Sequence, residues 1–190
     1  MAKANLEVLG LKVPLGLFHV YHDDGFVDSI QGHIEALAKK YDEWGWSFAG
    51  NHVIGRYELH NTFFGGNHHI FYLDTSFEAV NIGIRAHEET EVLRERKRLG
   101  YLADKILAEQ GARINFKEIE NPEVIAEIGA IYALLSRGIS LEEYEKAHND
   151  LSSRIKLNDR EQEVAESYRN YFRTAREIYE KGRLPQSKAA

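Results

Sequence analysis

His87, Glu88 and Glu91 fall within one pentapeptide, His87-Glu88-Glu89-Thr90-Glu91. On a helix, His87 and Glu91 are one turn apart and share a face, with Glu88 beside them. An imidazole and carboxylates at this spacing can supply two metal ligands and a general base. The same letters also have a structural use, as a solvated acidic helix face with a hydrogen-bonded core histidine. The surroundings favour chemistry. Val80 and Ile84 lead into His87 along one stripe, and Ala79, Ile82, Ala86 and Leu93 form a second, so this half of the helix is expected to be central. A buried helix carries an imidazole and carboxylates at a cost unless a metal, a proton or hydrogen bonds compensate them. Glu89 and Thr90 are expected to point away and to be structural.

A second acidic pair lies downstream. Glu127 sits in the apolar run Ile125-Ala126-Glu127-Ile128-Gly129-Ala130-Ile131, while Glu123 stands nearer the start of the same helix. Burying Glu127 without a cation or a proton is expensive. That makes it the expected third ligand, with Glu123 as the alternative. His68 and His69 are candidate accessory ligands or substrate contacts, set against an ordinary surface role beside a glycine turn. His19 and His22 would face opposite sides of a strand, which weakens a joint site there. Glu145-x-x-His148 is half of a di-iron carboxylate motif with no second copy.

The elements that must hold these groups change character along the chain. Residues 1–75 read as sheet-rich, with strands at Leu15 to Tyr21, His52 to Leu59 and His69 to Leu73, and further extended residues at Trp44 to Phe48. A helix is expected from Phe26 to Tyr41. Gly65-Gly66-Asn67 is expected to turn the last two strands into a pair. Residues 76–182 read as successive helices. The first begins near Phe77, capped by Thr75 or Ser76, with Gly100 as its interruption. The charged run Arg94-Glu95-Arg96-Lys97-Arg98 is expected to be solvated. A helix entered at Asn121-Pro122 runs to Gly138, followed by helices at Leu141 to His148 and Arg160 to Lys181. Residues 183–190 form a tail. The expectation is a single α+β domain spanning residues 1–190, with a small antiparallel sheet before a mostly helical C-terminal half.

This order, a strand, then the His87 helix, then an acid-bearing apolar helix, resembles the zincin metallopeptidases over residues 66–137. The resemblance implies a zincin-like core, with His87 as the first histidine ligand and Glu88 as the general base on a metal-activated water. Glu91 stands where the family carries its second histidine. A carboxylate there donates more charge and shifts the expected metal from zinc toward manganese or iron. Glu123 with Glu127 is similar to the Glu-x-x-x-Asp pattern of thermolysin-like members, in which the first acid binds metal and the second orients a histidine. His22-Asp23 also resembles the doublet of the His-Asp phosphohydrolases, although here it ends a strand.

Composition narrows the remaining classes. At 190 residues and 43% hydrophobic content the chain can bury a core of its own. A net charge of -6 disfavours binding to a phosphate backbone. Cysteine is absent, so any metal must be held by nitrogen and oxygen. Neither a Gly-x-Ser-x-Gly nucleophile signature nor a phosphate loop is present. The apolar N-terminal stretch is broken by Glu7, Lys12 and Pro14, which suits a strand better than a membrane span. The expectation is a cytoplasmic metal-dependent hydrolase acting on a small-molecule or peptide substrate. It would use one divalent ion on His87, Glu91 and Glu127, without nucleic-acid or membrane partners, and could form a homo-oligomer. The competing class is a non-enzymatic interaction domain built on a structural acid–histidine core.

Overall fold

A computed structural model describes residues 5–9, 11–14, 18–23, 55–62, 65–73, 75, 77–154 and 159–184. The expected helix at Phe26 to Tyr41 and the segment Trp44 to Phe48 lie outside the described residues. So do 185–190 of the expected tail.

At backbone level, β1 (Asn5–Val8) and β2 (Leu11–Pro14) pair antiparallel. Three further strands, β3 (Phe18–Asp23), β4 (Gly55–Thr62) and β5 (Gly65–Leu73), are ordered β3-β5-β4. Here β3 runs parallel to β5 and β4 antiparallel to it. Gly65-Gly66-Asn67 is not the turn but the opening of β5, with Gly65 opposite Thr62 and Gly66 opposite Asn61.

Five helices follow: α1 (Glu78–Glu95), α2 (Leu99–Gln110), α3 (Pro122–Ser136), α4 (Leu141–Arg154) and α5 (Asp159–Gly182). A 3-10 turn at Phe116–Glu118 joins α2 to α3. The expected class, α+β with a small antiparallel sheet and a zincin-like core, is corrected here. Helix makes up 81% of the region described in side-chain detail, and no strand lies within it. Every buried member of the main hydrophobic cluster, from Ala79 to Tyr179, lies in the helical region. The physical reason is that β-branched and aromatic runs report an extended backbone but not what covers it, whereas the 3.6-residue periodicity from residue 77 onward supplies a complete helical core.

α3 is the centre. Every residue from Val124 to Leu134 is buried, the signature of a helix enclosed on all sides. Its start is fixed by Asn121, whose side chain accepts from the Glu123 amide at 2.9 Å, and by Pro122 in the first turn. Ile128, Ile131 and Leu134 are fully enclosed with Leu93 of α1 and Leu102 and Ile106 of α2. Each such side chain contributes about 2 kcal/mol by leaving water.

α1 crosses α3 at a point where only glycine fits. A Cβ at residue 129 would fall inside the Thr90 hydroxyl, which itself donates to the Ala86 carbonyl at 2.7 Å. Thr90 and Glu89 are thus buried, not on an outer face.

The ends of α1 differ from expectation. Phe77 takes the capping position without a side-chain cap, while Thr75 and Asn81 close a reciprocal pair. The Thr75 amide donates to Asn81 Oδ1 at 2.7 Å and Asn81 Nδ2 donates to the Thr75 carbonyl at 2.8 Å. The helix breaks at Arg96 to Arg98, where Lys97 adopts a positive φ of 54°. Gly100 lies inside the first turn of α2. Arg96, Lys97 and Arg98 are exposed, as a solvated stretch should be.

Leu9, between β1 and β2, is gripped by two helices. Its amide donates to Glu89 Oε2 of α1 at 3.2 Å, and its carbonyl accepts from Lys105 Nζ of α2 at 3.1 Å. Arg85 Nε holds the other Glu89 oxygen at 2.8 Å. Leu9 itself has φ 47°. Among the described residues no single helix is long and apolar enough to cross a membrane.

Candidate functional site

The α1–α3 crossing brings His87 between the two acids of α3. Its Nδ1 lies 3.1 Å from Glu127 Oε1 and its Nε2 lies 3.2 Å from Glu123 Oε2. One helical turn separates the two carboxylates, so a single imidazole can span them. Helix position explains the difference in their burial. Glu127 lies in the enclosed middle of α3 with its side chain 7% exposed, whereas Glu123 lies at the first turn and is 37% exposed. Tyr168 of α5 places its ring over His87, 5.9 Å between centroids, and Tyr171 packs edge-on against it.

Burial works against a charged His87, but the hydrogen bonds to Glu123 and Glu127 outweigh it and hold its pKa well above 6.5. The two flanking carboxylates thus favour the protonated form of the ring. Glu123 responds in the opposite sense: its bond to His87 outweighs partial burial and lowers its pKa. Glu88 is pushed up to about 8, chiefly by burial, with the His87 charge opposing and Glu91, Glu123 and Glu127 adding to the rise. Burial, then Glu123, Glu88 and Glu127, raise the Tyr168 phenol and keep it neutral.

Glu91 uses only one oxygen. Arg94 Nε and Nη2 both donate to Oε2, at 3.0 and 2.5 Å, while Oε1 is buried with no hydrogen-bond partner. Glu127 Oε2 is likewise buried and unpartnered. Two orphaned carboxylate oxygens on α1 and α3 are unusual in a satisfied core.

The structure thus brings together His87, Glu123 and Glu127, with Glu88 in their electrostatic field. Glu91 is on the same helix but turned toward Arg94. Among the described residues no group of three or more histidines and acids is placed to hold a metal ion. His68 and His69 lie on β5 at backbone level, and their side chains are outside the described set. His148 stands near Glu127 with its pKa lowered, mainly by burial. Sequence reasoning missed Tyr168 over His87, which carries no local motif, and Arg94 as the partner of Glu91, although their i,i+3 spacing was a usable signal.

Comparison with protein-family models, with curated proteins and with solved structures finds no match for this chain.

Proposed function

We propose that the chain is a metal-dependent hydrolase, with His87 Nε2, Glu123 and Glu91 as the metal ligands, Glu127 as the residue that orients His87, and Glu88 as the general base. The observation that carries this reading is the 3.2 Å separation of His87 Nε2 and Glu123 Oε2, with Nδ1 held by buried Glu127. Two ligands of a tetrahedral ion with bonds of about 2.0–2.1 Å lie about 3.3 Å apart. A histidine that binds through one nitrogen characteristically donates the other to a carboxylate. This exchanges the expected roles of the two acids: Glu123 binds and Glu127 orients. Glu91 Oε1 is buried and unpartnered, but Glu91 would have to turn from Arg94 toward His87 to serve as the third ligand. In the metal-free chain a proton on His87 supplies the positive charge between the acids.

A zinc, manganese or iron ion held there would act as a Lewis acid toward a substrate carbonyl and toward water. Once ionised, a state that its raised pKa of about 8 confines to the alkaline side, Glu88 would take the proton from the attacking water as its oxygen bonds to the carbonyl carbon. It returns that proton to the leaving amine or alcohol when the carbon–nitrogen or carbon–oxygen bond breaks. Tyr168 and Glu123 lie beside buried His87, and the substrate in this reading is a small molecule or peptide.

The test is elemental analysis of tag-free protein together with calorimetric titration of zinc and manganese. Near-stoichiometric metal in the parent, lost in His87→Ala and Glu123→Gln, is expected. Glu88→Gln should retain the metal and lose hydrolysis of ester and amide substrates. A parent with no metal and no measurable uptake overturns the reading. A second reading, an interaction domain with a structural acid–histidine core, is favoured by one observation: both nitrogens of His87 already have carboxylate partners. That result would leave it standing.

A further inference from the structure

The tip of the β1–β2 hairpin is built against its own local preferences. The register pairs Val8 with Leu11, which puts Leu9 in the turn, where it takes a φ of 47°. A hairpin turn with positive φ ordinarily carries asparagine, aspartate or glycine, and a leucine there is strained. What the leucine gains lies outside the hairpin: its side chain packs against the main helical cluster. Glu89 and Lys105 take the amide and the carbonyl of that same residue. Both arms of this clasp are set by the helices. Arg85 holds Glu89 from one turn away. Lys105 lies 5.8 Å from the ring centroid of Tyr132 and 3.7 Å from Glu109, which accepts from the Tyr132 hydroxyl at 2.6 Å. The hairpin has less support of its own. Its two strands pair only with each other among the described residues, and a two-stranded ribbon is marginal in water unless it packs on something.

We infer that the β1–β2 hairpin is a latch, seated on the α1–α2 junction by its tip and released as a unit while the helices stay folded. A backbone outlier that its own turn does not require points to a purpose elsewhere. Here that purpose is the seat. Glu89 and Lys105 grip both backbone groups of one residue from two helices, so the seated hairpin ties α1 to α2 across the break at Arg96 to Arg98. Release withdraws the Leu9 amide from Glu89, a buried acid one residue from Glu88 on the helix that carries His87. The latch therefore acts on α1.

The experiment is native-state hydrogen exchange on the full chain, comparing amides of the β1–β2 ladder with those of Val124 to Leu134 in α3, in the parent and in Lys105→Met, Lys105→Arg, Glu89→Gln and Leu9→Asn. In the parent the ladder amides are expected to exchange together and faster than those of α3. Lys105→Met should speed the ladder about 10-fold or more, the scale of one hydrogen bond to a charged group, with α3 unchanged, and Lys105→Arg should recover part of the loss. Leu9→Asn suits the turn but not its seat, and should act like Lys105→Met. Lys105 is partly exposed, so its variants decide the matter even if Glu89→Gln, at a buried acid, fails to fold. Ladder and α3 amides that share one rate in the parent and in the variants overturn the inference, since the hairpin then opens only with the core. Slower ladder exchange in Leu9→Asn overturns it as well, because the turn and not the seat then holds the hairpin. An unchanged ladder in Lys105→Met does the same.

Discussion

The Thr90 hydroxyl occupies the space that a Cβ on residue 129 would need. The closest approach of α1 and α3 is therefore built from a glycine on one helix and a hydroxyl, folded back onto its own helix, on the other. Gly129→Ala must separate the helices. It should destabilise the chain by about 3 kcal/mol in urea denaturation. Thr90→Ala removes the colliding oxygen, so the double variant should be less destabilised than the sum of the two single changes.

The same crossing sets a pH dependence in metal-free buffer. His87 has a raised pKa, so its contribution is complete below about 6.5 and is lost as pH rises through its folded value. Glu88 is an acid whose folded pKa is raised to about 8, so the native state retains its proton and stability falls between about 4.5 and about 8. Both groups act in one direction. Glu123, whose pKa is lowered, contributes above 4.5 and loses its contribution only in more acidic solution. Stability should decline by a few kcal/mol between about pH 6 and pH 9, and Glu88→Gln should flatten the decline. An unchanged slope in Glu88→Gln would remove Glu88 from this account.

Glu123 and Glu127 are chemically identical but should not be interchangeable. Glu127→Gln keeps a hydrogen-bonding group on Nδ1 and should weaken zinc binding about 10- to 100-fold. Glu123→Gln should abolish it under the same titration. Equal losses would assign the two acids one role.

The entry to α1 is a separate local unit. Asn81→Ala removes the reciprocal bonds to Thr75 and leaves the Thr75 amide unpaired. The expected cost is about 1–2 kcal/mol, with zinc affinity unchanged. Denaturation and titration on the same samples check both halves of this expectation.

Much of the helical half was legible because periodicity and capping residues act locally. Asn121-Pro122 marked the start of α3, and the two stripes before His87 marked a central helix. Glu127 was correctly singled out as a buried acid, since an isolated carboxylate among isoleucines demands a partner. Its geometric role was not legible, because which nitrogen of His87 it meets depends on the crossing of two helices, set by Gly129 and Thr90. The break after α1 was also misplaced. Gly100 fits comfortably in a helical first turn, whereas the charged run holds the positive φ at Lys97. The fold class failed for a different reason: strand signals were read as a sheet that would share the core, but that core closes among helices.

Leu9 carries one more consequence. A leucine in the left-handed region costs about 1–2 kcal/mol, and the two charged side chains that clasp its peptide groups offset that cost. Its amide proton is bonded to Glu89, 80 residues away and next to Glu88 in sequence. Hydrogen exchange at this single amide is therefore a sentinel for α1: any event that rotates or frays the helix bearing the candidate base should be registered as faster exchange 80 residues away, at Leu9.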